Sequence, residues 1–268
     1  MKRLITGVMA SVAWLLLLFL GPFPLFAIAI TVLAALALGE YLTITLPDLT
    51  PRTRLAILLL GLLPLIGASS GEPTGLICGL SFALVALLLY TLSRYTNFAT
   101  PFDVISRGGF GYLYVGMFSS HLILLMALPQ GRSWLLLLTV ITAASDTAAF
   151  YTGSKFGKHK LCPAISPGKT WEGFLGGLAG CLGAALLVRH FFLPEQNLVW
   201  ICSIVLLLGC LGAAGDLSES VIKRAFGIKD SGSILPGHGG LLDRIDSLLL
   251  TAPVLYYLLY FKAGLCVL

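Results

Sequence analysis

The feature that most restricts the fold of this chain is a series of long apolar runs, such as LAILLLGLLPLI at residues 55–66. Hydrophobic residues make up 57% of the sequence and charged residues only 11%, whereas about a quarter of the residues in a soluble domain are charged. Only helices and closed barrels satisfy their backbone hydrogen bonds in a bilayer. Barrel strands alternate polar and apolar residues, and this run does not. The sequence therefore predicts an all-α, polytopic integral membrane protein.

A membrane-spanning helix needs about 20 apolar residues, and about nine segments meet that requirement. They are residues 4–20, 23–46, 54–70, 74–93, 106–128, 133–153, 171–193, 198–220 and 241–261. The sixth, eighth and ninth segments contain acidic residues, so the pattern defines their ends less well than those of the others.

The distribution of basic residues predicts the orientation of these segments. Nine crossings with a cytoplasmic amino terminus place all of the 17 Lys and Arg residues on the cytoplasmic side except Arg132, Arg189 and Lys262. This asymmetry follows the positive-inside rule. The net charge of +5 is then a property of the cytoplasmic loops. It favours anionic lipids or phosphates as partners, and no pattern typical of nucleic-acid binding is present.

Composition divides the chain into two parts. Residues 1–100 are mainly Leu, Ala, Ile and Val and are interpreted as apolar scaffold helices. Residues 101–268 contain most of the glycine and charge clusters, and we predict that they form a catalytic transmembrane domain with cytoplasmic loops at 154–172 and 221–241. The small residues at 176–185 are expected to pack helices closely.

Three aspartates near the carboxyl end of the chain predict a metal site. Asp243 and Asp246 are three residues apart on an expected helix, so their carboxylates share one face. Asp216 precedes the neighbouring loop and could face the same cavity. Hard oxygen ligands without a cluster of His or Cys indicate Mg²⁺ or a similar cation. The alternative is a network of ion pairs at the helix ends with Lys223, Arg224 and Arg244. The metal is favoured because acids at membrane depth are costly.

The loop between these aspartates, KDSGSILPGHGG at residues 229–240, is predicted to hold phosphates. Glycines allow close approach of backbone N–H groups to an anion, and neighbouring cations would neutralise it. The residues expected to contact phosphate are Ser220, Lys223, Arg224, Lys229, Gly237, His238, Gly239, Gly240 and Arg244. His238 could also be a structural residue that locks the loop.

The loop at 154–172 is a second candidate for anion binding. Ser166, Lys169 and Thr170 are expected to open the next helix, whose N-terminus favours anions. Lys160 could contact the substrate or anchor the loop at lipid headgroups. Asp146, within an apolar segment, is expected to face the same cavity or else to pair with a neighbouring helix.

Three isolated polar residues are not predicted to belong to the site. Glu40, His121 and His190 have no partner at a useful spacing, so we expect interior hydrogen bonds or positions at helix ends.

Two stretches resemble the CDP-diacylglycerol synthases, also called phosphatidate cytidylyltransferases. The first combines SVIKR (220–224), KDSG (229–232), PGHGG (236–240) and DRID (243–246). The second is DTAAFYTG (146–153), followed by FGKHKL and SPGKTWEG. The resemblance covers about residues 146–247. Small departures occur at Phe150-Tyr151, where the family more often has Tyr then Phe, and at Gly168, where Lys or Asn is common.

This resemblance implies a Mg²⁺-dependent transfer of CMP from CTP to phosphatidic acid, with a possible role for a second monovalent or divalent cation. It also implies that Asp216, Asp243 and Asp246 hold the metal, that the basic residues bind phosphates, and that the protein is a homodimer. The expected location is the bacterial inner membrane, among membrane lipids, with the site facing the cytoplasm.

Two other functions stay open on the sequence. The acceptor could be an isoprenoid lipid phosphate, as in CDP-archaeol synthesis, because nothing in the sequence distinguishes acyl from isoprenyl tails. The intramembrane charges could also belong to an anion transporter. Transporters often contain two inverted halves, however, and the apolar first third has no charged counterpart of the last third.

Overall fold

The computed structural model describes residues 2–232 and 239–265, with side chains from residue 7 to residue 262 in those ranges. The described chain is almost entirely helical. Its α-helices are α1 Lys2–Leu20, α2 Phe23–Thr45, α3 Pro51–Gly61, α4 Leu63–Ala68, α5 Pro73–Ser93, α6 Pro101–Gly111, α7 Phe118–Ala127, α8 Gly131–Phe156, α9 Trp171–Phe192, α10 Leu198–Ala225 and α11 Leu242–Leu265. A 3₁₀ turn, Tyr95–Asn97, follows α5, and a π-helical segment, Tyr112–Met117, joins α6 to α7.

Eight helical segments within these ranges are long and apolar enough to cross a membrane. The pairs α3 with α4 and α6 with α7 each count as one segment, and α1 adds a shorter apolar stretch, Gly7–Leu20. The prediction of an all-α, polytopic membrane protein is therefore confirmed. Eight of the nine predicted crossings correspond to these segments, and the first, on α1, stays a prediction.

Local sequence accounts for the starts and interruptions of the helices. Thr50 precedes α3 and its hydroxyl accepts a hydrogen bond from the Thr53 N–H at 3.3 Å, while Pro51 occupies the first turn. Proline lacks an N–H group, which costs nothing at this position. Pro64 lies in the first turn of α4, so the break between α3 and α4 occurs where proline cannot continue the earlier helix.

Contacts divide the chain into two compact units. The first comprises residues 1–127 and 230–244, and the second comprises residues 128–229 and 245–268. In the first unit α4 and α5 meet through glycines, since a Cβ at Gly67 would lie 2.0 Å from the carbonyl oxygen of Gly75. The predicted division into scaffold helices at residues 1–100 and a catalytic domain at residues 101–268 does not follow from these units and stays a prediction.

In the second unit α8 and α9 pack closely along their length. A Cβ at Gly180 would lie 2.8 Å from the carbonyl oxygen of Ala144, and one at Gly176 would lie 2.1 Å from the hydroxyl of Thr152. The small residues predicted to allow close helix packing therefore do so here.

Two local features differ from the sequence-based expectation. Residues 166–170 do not open a helix. They form strand β2 (Ser166–Thr170), which pairs antiparallel with β1 (Lys160–Cys162), and α9 begins at Trp171, where the crossing at 171–193 was predicted to begin. Helix α10 continues to Ala225, so Lys223 and Arg224 lie on a helix and not in the loop predicted to begin at residue 221. The apolar segment ends before these polar residues, but the helix continues through them.

Candidate active site

The second unit contains a cavity of about 460 Å³. Its walls are largely apolar, with contributions from Ile141, Phe150, Leu161, Phe174, Cys181 and Leu208. The charged residues among its lining are Asp146 on α8, Lys169 on β2 and Asp216 on α10. The sequence predicted a shared cavity for Asp146 and the loop at 154–172, and these three residues do line one cavity. An apolar space with a few convergent charges is typical of a ligand site.

Lys169 and Asp216 form an ion pair in this cavity. The Lys169 Nζ lies 2.7 Å from the Asp216 Oδ2, and their side chains are 23% and 39% exposed. The pair therefore connects the hairpin to α10. A lysine ammonium has three N–H donors, so Lys169 can contact a phosphate oxygen while it also neutralises Asp216.

Asp246 adds a third acidic group near the cavity. It lies on α11 with 8% exposure, and the next residue, Ser247, lines the cavity. Helices α10 and α11 approach closely here, because a Cβ at Gly215 would lie 2.6 Å from the Asp246 carbonyl oxygen. Asp146, Asp216 and Asp246 thus lie on three different helices of the same unit.

The two basic residues at the end of α10 contact nearby groups. Lys223 forms an ion pair with Glu219, one turn earlier, and both side chains are largely buried. The Arg224 guanidinium donates to the Ile165 carbonyl at 3.3 Å and to the Ile228 carbonyl at 3.1 Å. The alternative of helix-end ion pairs therefore applies to Glu219, whereas Asp216 pairs with Lys169 instead.

The hairpin places its polar residues in different surroundings. Thr170 is the N-cap of α9, and its hydroxyl accepts a hydrogen bond from the Gly173 N–H at 3.1 Å. Glu172 in the first turn accepts hydrogen bonds from the Lys158 and His159 N–H groups at 3.1 and 3.2 Å. The N–H groups of Lys158, His159 and Gly173, near the start of α9, are therefore already hydrogen-bonded within the chain. Ser166 is half-buried on β2, and Lys160 is exposed on β1.

Asp243 belongs to the first unit and is bonded to the backbone. Its Oδ2 accepts hydrogen bonds from the Ser231 N–H at 3.1 Å and from the Gly240 N–H at 3.0 Å. Gly239 has a φ of +80°, a conformation that favours glycine. Arg244 is exposed beside Asp243 on α11.

The remaining predicted residues are placed as follows. Ser220 is buried on α10 and Lys229 is exposed. Gly237 and His238 lie outside the described residues. In the described ranges, the acidic, His and Cys side chains do not form a group of three or more that could hold a metal ion.

Sequence reasoning did not assign Glu40 to the site, although it predicted a hydrogen-bonded or helix-end position. Glu40 is 6% exposed on α2 and accepts hydrogen bonds from backbone N–H groups at the start of α11. A signal was present, because Glu40 is the one acid buried within an apolar run of residues 1–100. His121, as predicted, is buried and its Nδ1 lies 2.9 Å from the Met117 carbonyl oxygen.

Comparison with known proteins identifies the family. The sequence matches the group described as the cytidylyltransferase family over residues 1–262. The chain belongs to the cytidylyltransferase family. It is 36% identical over 266 residues to the phosphatidate cytidylyltransferase of Bacillus subtilis strain 168, with 96% of this chain and 97% of the relative covered.

Two further relatives carry the same name. The phosphatidate cytidylyltransferase of Staphylococcus aureus strain COL is 34% identical over 265 residues, covering 96% of this chain and 98% of the relative. That of Staphylococcus saprophyticus is 38% identical over 183 residues, covering 67% of this chain and 66% of the relative. The resemblance seen in the motifs at residues 146–247 is therefore confirmed, and the similarity to the first two relatives extends over nearly the whole length of this chain.

Proposed function

We infer that this chain transfers CMP from CTP to phosphatidate and so forms CDP-diacylglycerol and pyrophosphate. The similarity to phosphatidate cytidylyltransferases over 96% of the chain supports this activity. In the structure, the observation that carries the inference is the Lys169–Asp216 pair within a largely apolar cavity. Such a cavity suits an amphiphilic substrate, whose phosphate requires a cation and whose glyceride portion requires apolar walls.

The reaction needs neutralisation of charge more than a strong base. A phosphate oxygen of phosphatidate attacks the α-phosphorus of CTP, and the bond from that phosphorus to the α,β-bridging oxygen breaks. Pyrophosphate leaves with the bonding electrons. The nucleophile is already an anion at neutral pH, so no proton has to be removed from it. The main barrier is repulsion between two anions, which fixed cations lower while holding the groups in line.

The donor set of the site fits Mg²⁺. This ion is commonly held by one or two carboxylates together with substrate phosphates and water, and Asp216 and Asp246 provide hard oxygen atoms in the second unit. We propose that these two residues hold it and that a second cation could be bound nearby, while Asp243 stays a sequence-based proposal for a metal ligand. When bound, Mg²⁺ supplies positive charge that offsets the charge on the triphosphate and on the leaving pyrophosphate.

The chain's own residues then bind and orient the phosphates. Lys169 holds one phosphate group in the cavity and Asp146 helps to orient Lys169 or a hydroxyl of the substrate. Further phosphate contacts are proposed for Ser166, Thr170, Ser220, Lys223, Arg224, Lys229, Gly239, Gly240 and Arg244, with Lys160 as a weaker contact. Gly237 and His238 stay sequence-based proposals for the same role.

The setting of this reaction is also proposed. The protein is an integral membrane protein, and the positive-inside distribution supports a site that faces the cytoplasm. We propose that this membrane is the bacterial inner membrane and that the protein is a homodimer, as the family resemblance implies. Cysteines introduced singly at positions 155–170 and labelled by an impermeant reagent in oriented vesicles test this orientation. Labelling only from the outer face would contradict it.

The experiment that tests the activity is pyrophosphate release by the purified protein in detergent. The assay contains CTP, phosphatidate and Mg²⁺, with ATP as the control nucleotide. Release that requires CTP, lipid and metal together is the expected result. An archaetidyl-type phosphate replaces phosphatidate in a parallel assay, and a preference for it would identify the isoprenoid acceptor instead. No release with either lipid would contradict the proposed function.

A further inference from the structure

The start of α11 is bonded to a carboxylate from a distant part of the first unit. Glu40 Oε1 accepts a hydrogen bond from the Leu241 N–H at 3.0 Å, and its Oε2 accepts one from the Leu242 N–H at 2.9 Å. The first N–H groups of a helix have no partner within the helix. A negative charge at this end is also favoured by the helix dipole. Glu40 therefore caps α11 although it lies 201 residues before Leu241 in the sequence.

Glu40 also contacts the chain on the other side of the glycine-rich loop. Its Oε2 accepts a hydrogen bond from the Ser231 hydroxyl at 3.2 Å. The Ser231 N–H donates to Asp243, as does the Gly240 N–H. Two carboxylates, Glu40 and Asp243, thus share Ser231 and connect residue 231 with residues 240–243. Both described ends of the loop are held by this one arrangement.

The glycines around this carboxylate leave no room for side chains. A Cβ at Gly232 would lie 2.4 Å from Glu40 Oε1, and a Cβ at Gly240 would lie 1.9 Å from the Ser231 hydroxyl and 2.7 Å from Glu40 Oε2. These distances are far below van der Waals contact. Two glycines of the motif KDSGSILPGHGG therefore serve the approach of Glu40, in addition to any role toward phosphate.

We propose that Glu40 is a positioning residue for the transfer reaction. It fixes the start of α11 and Ser231, and through them the orientation of Asp243. The proposal rests on the proposed function, because Asp243 is assigned to the site there. It assigns to the apolar amino-terminal part of the chain a direct role in the geometry of the site.

Glu40→Gln is the variant that tests this role. Glutamine keeps the size of the side chain but presents an NH₂ group to one set of N–H and O–H donors, so it cannot accept all three hydrogen bonds. Glu72→Gln is the matched control. Glu72 precedes α5 in the same unit and is exposed, and its side chain makes no capping hydrogen bond.

The first readout is amide hydrogen exchange without metal or nucleotide. In Glu40→Gln, exchange at Gly240, Leu241 and Leu242 should accelerate about 10-fold or more, because the acceptor of two of these amides is altered. Glu72→Gln should exchange like the wild type at these amides.

The second readout separates positioning from general destabilisation. In Glu40→Gln the kcat should fall about 10- to 100-fold, as small misplacements of reacting groups do. The KM for phosphatidate, whose cavity is proposed in the other unit, should stay within about twofold. Ser231→Ala removes only the hydroxyl contact and should lower kcat by a smaller factor, about 2- to 5-fold. If Glu40→Gln does not fold, the kcat of Ser231→Ala tests the positioning role in its place.

The outcomes distinguish the two proposals. A wild-type protein without CMP transfer contradicts the proposed function and the positioning role together. An active wild type with Glu40→Gln equal to Glu72→Gln in exchange and in kcat contradicts the positioning role alone. Faster exchange with an unchanged kcat also contradicts it, since Glu40 would then only stabilise the loop. A fall in kcat in both Glu40→Gln and Ser231→Ala, with faster exchange, supports it.

Discussion

Glu40 in the first unit and Asp216 in the second are both acids within membrane-spanning helices, but they are bonded differently. Glu40 is 6% exposed, and two of its donors are backbone N–H groups. The Asp216 side chain is 39% exposed, lines a cavity and pairs with the side chain of Lys169. The cost of placing a carboxylate at membrane depth is therefore offset by fixed donors in one case and by a flexible cation in the other.

This difference separates positioning from chemistry. Backbone donors cannot turn away from Glu40 unless the start of α11 unwinds, so its lone pairs are committed to the fold. The Lys169 ammonium can rotate toward a phosphate, and the Asp216 oxygens can then serve a cation. An acid in a membrane protein is thus more informative about reactivity when its partner is a side chain in a cavity than when its partners are backbone amides.

The largest expected effect is on the acids of the second unit. Asp246→Asn should lower the rate of CMP transfer about 10²- to 10³-fold, because it removes a charge proposed to hold the cation that offsets developing charge. Pyrophosphate release with saturating CTP and Mg²⁺ measures this loss. The thermal midpoint should stay close to that of the wild type, since asparagine has nearly the same volume and its Oδ1 can still accept from the Ser247 N–H.

Asp103→Asn is the matched control for that substitution. Asp103 is a half-exposed acid on α6 whose partner is Arg107 at 3.1 Å, and exposed pairs of this kind contribute little. It should keep full activity. Equal activity in the Asp246 and Asp103 variants would remove the distinction between the cavity acids and other acids of the chain.

The next effect should come from the cation of the cavity. Lys169→Met keeps most of the side-chain volume but removes the charge that neutralises Asp216, so the rate should fall about 10- to 100-fold. Lys169→Arg should recover part of the loss. Steady-state kinetics with varied phosphatidate and varied CTP would show which substrate's KM rises in the Lys169→Met variant.

Lys158→Met tests whether any lysine of the loop has this effect. Lys158 is exposed on the same connection, and its loss should change the rate by no more than about twofold, as expected for a surface charge. A comparable fall in both variants would assign the effect to the general positive charge of the loop and not to the cavity.

A smaller effect is expected where α10 meets α11. Gly215→Ala would place a Cβ 2.6 Å from the Asp246 carbonyl oxygen, whereas Gly212→Ala would place one 3.7 Å from the nearest atom of Ser247. The first substitution should destabilise the protein by about 1–3 kcal/mol, the usual cost of overpacking, and shift Asp246. The second should be nearly neutral. Thermal unfolding in detergent compares them, and equal midpoints would contradict the close contact.

The sequence predicted the parts of this structure that depend on local composition. Crossing segments follow from apolar runs, and the shared cavity of Asp146 and Lys169 was predicted from an acid within such a run and a lysine in the loop that follows it. The contact of Glu40 with α11 was not predictable, because nothing local links residues 201 positions apart. Strand β2 was also missed. Its sequence, SPGKT, contains Pro and Gly and shows no alternation, so propensity alone argues against a strand.

The hairpin also provides the prediction with the smallest expected effect, at the N-cap of α9. The Thr170 hydroxyl accepts the Gly173 N–H at 3.1 Å and is buried, and loss of such a cap costs about 0.5–2 kcal/mol. Thr170→Val keeps the shape and should lower stability by about this amount, whereas Thr170→Ser should retain it. Thermal unfolding and CMP transfer are measured together. If Thr170 acts only as a cap, both variants keep a rate within about twofold of the wild type once folded. A large fall in rate for Thr170→Val without loss of stability would instead assign its hydroxyl to the substrate. Thr170 would then contact the substrate directly, as is proposed for Lys169.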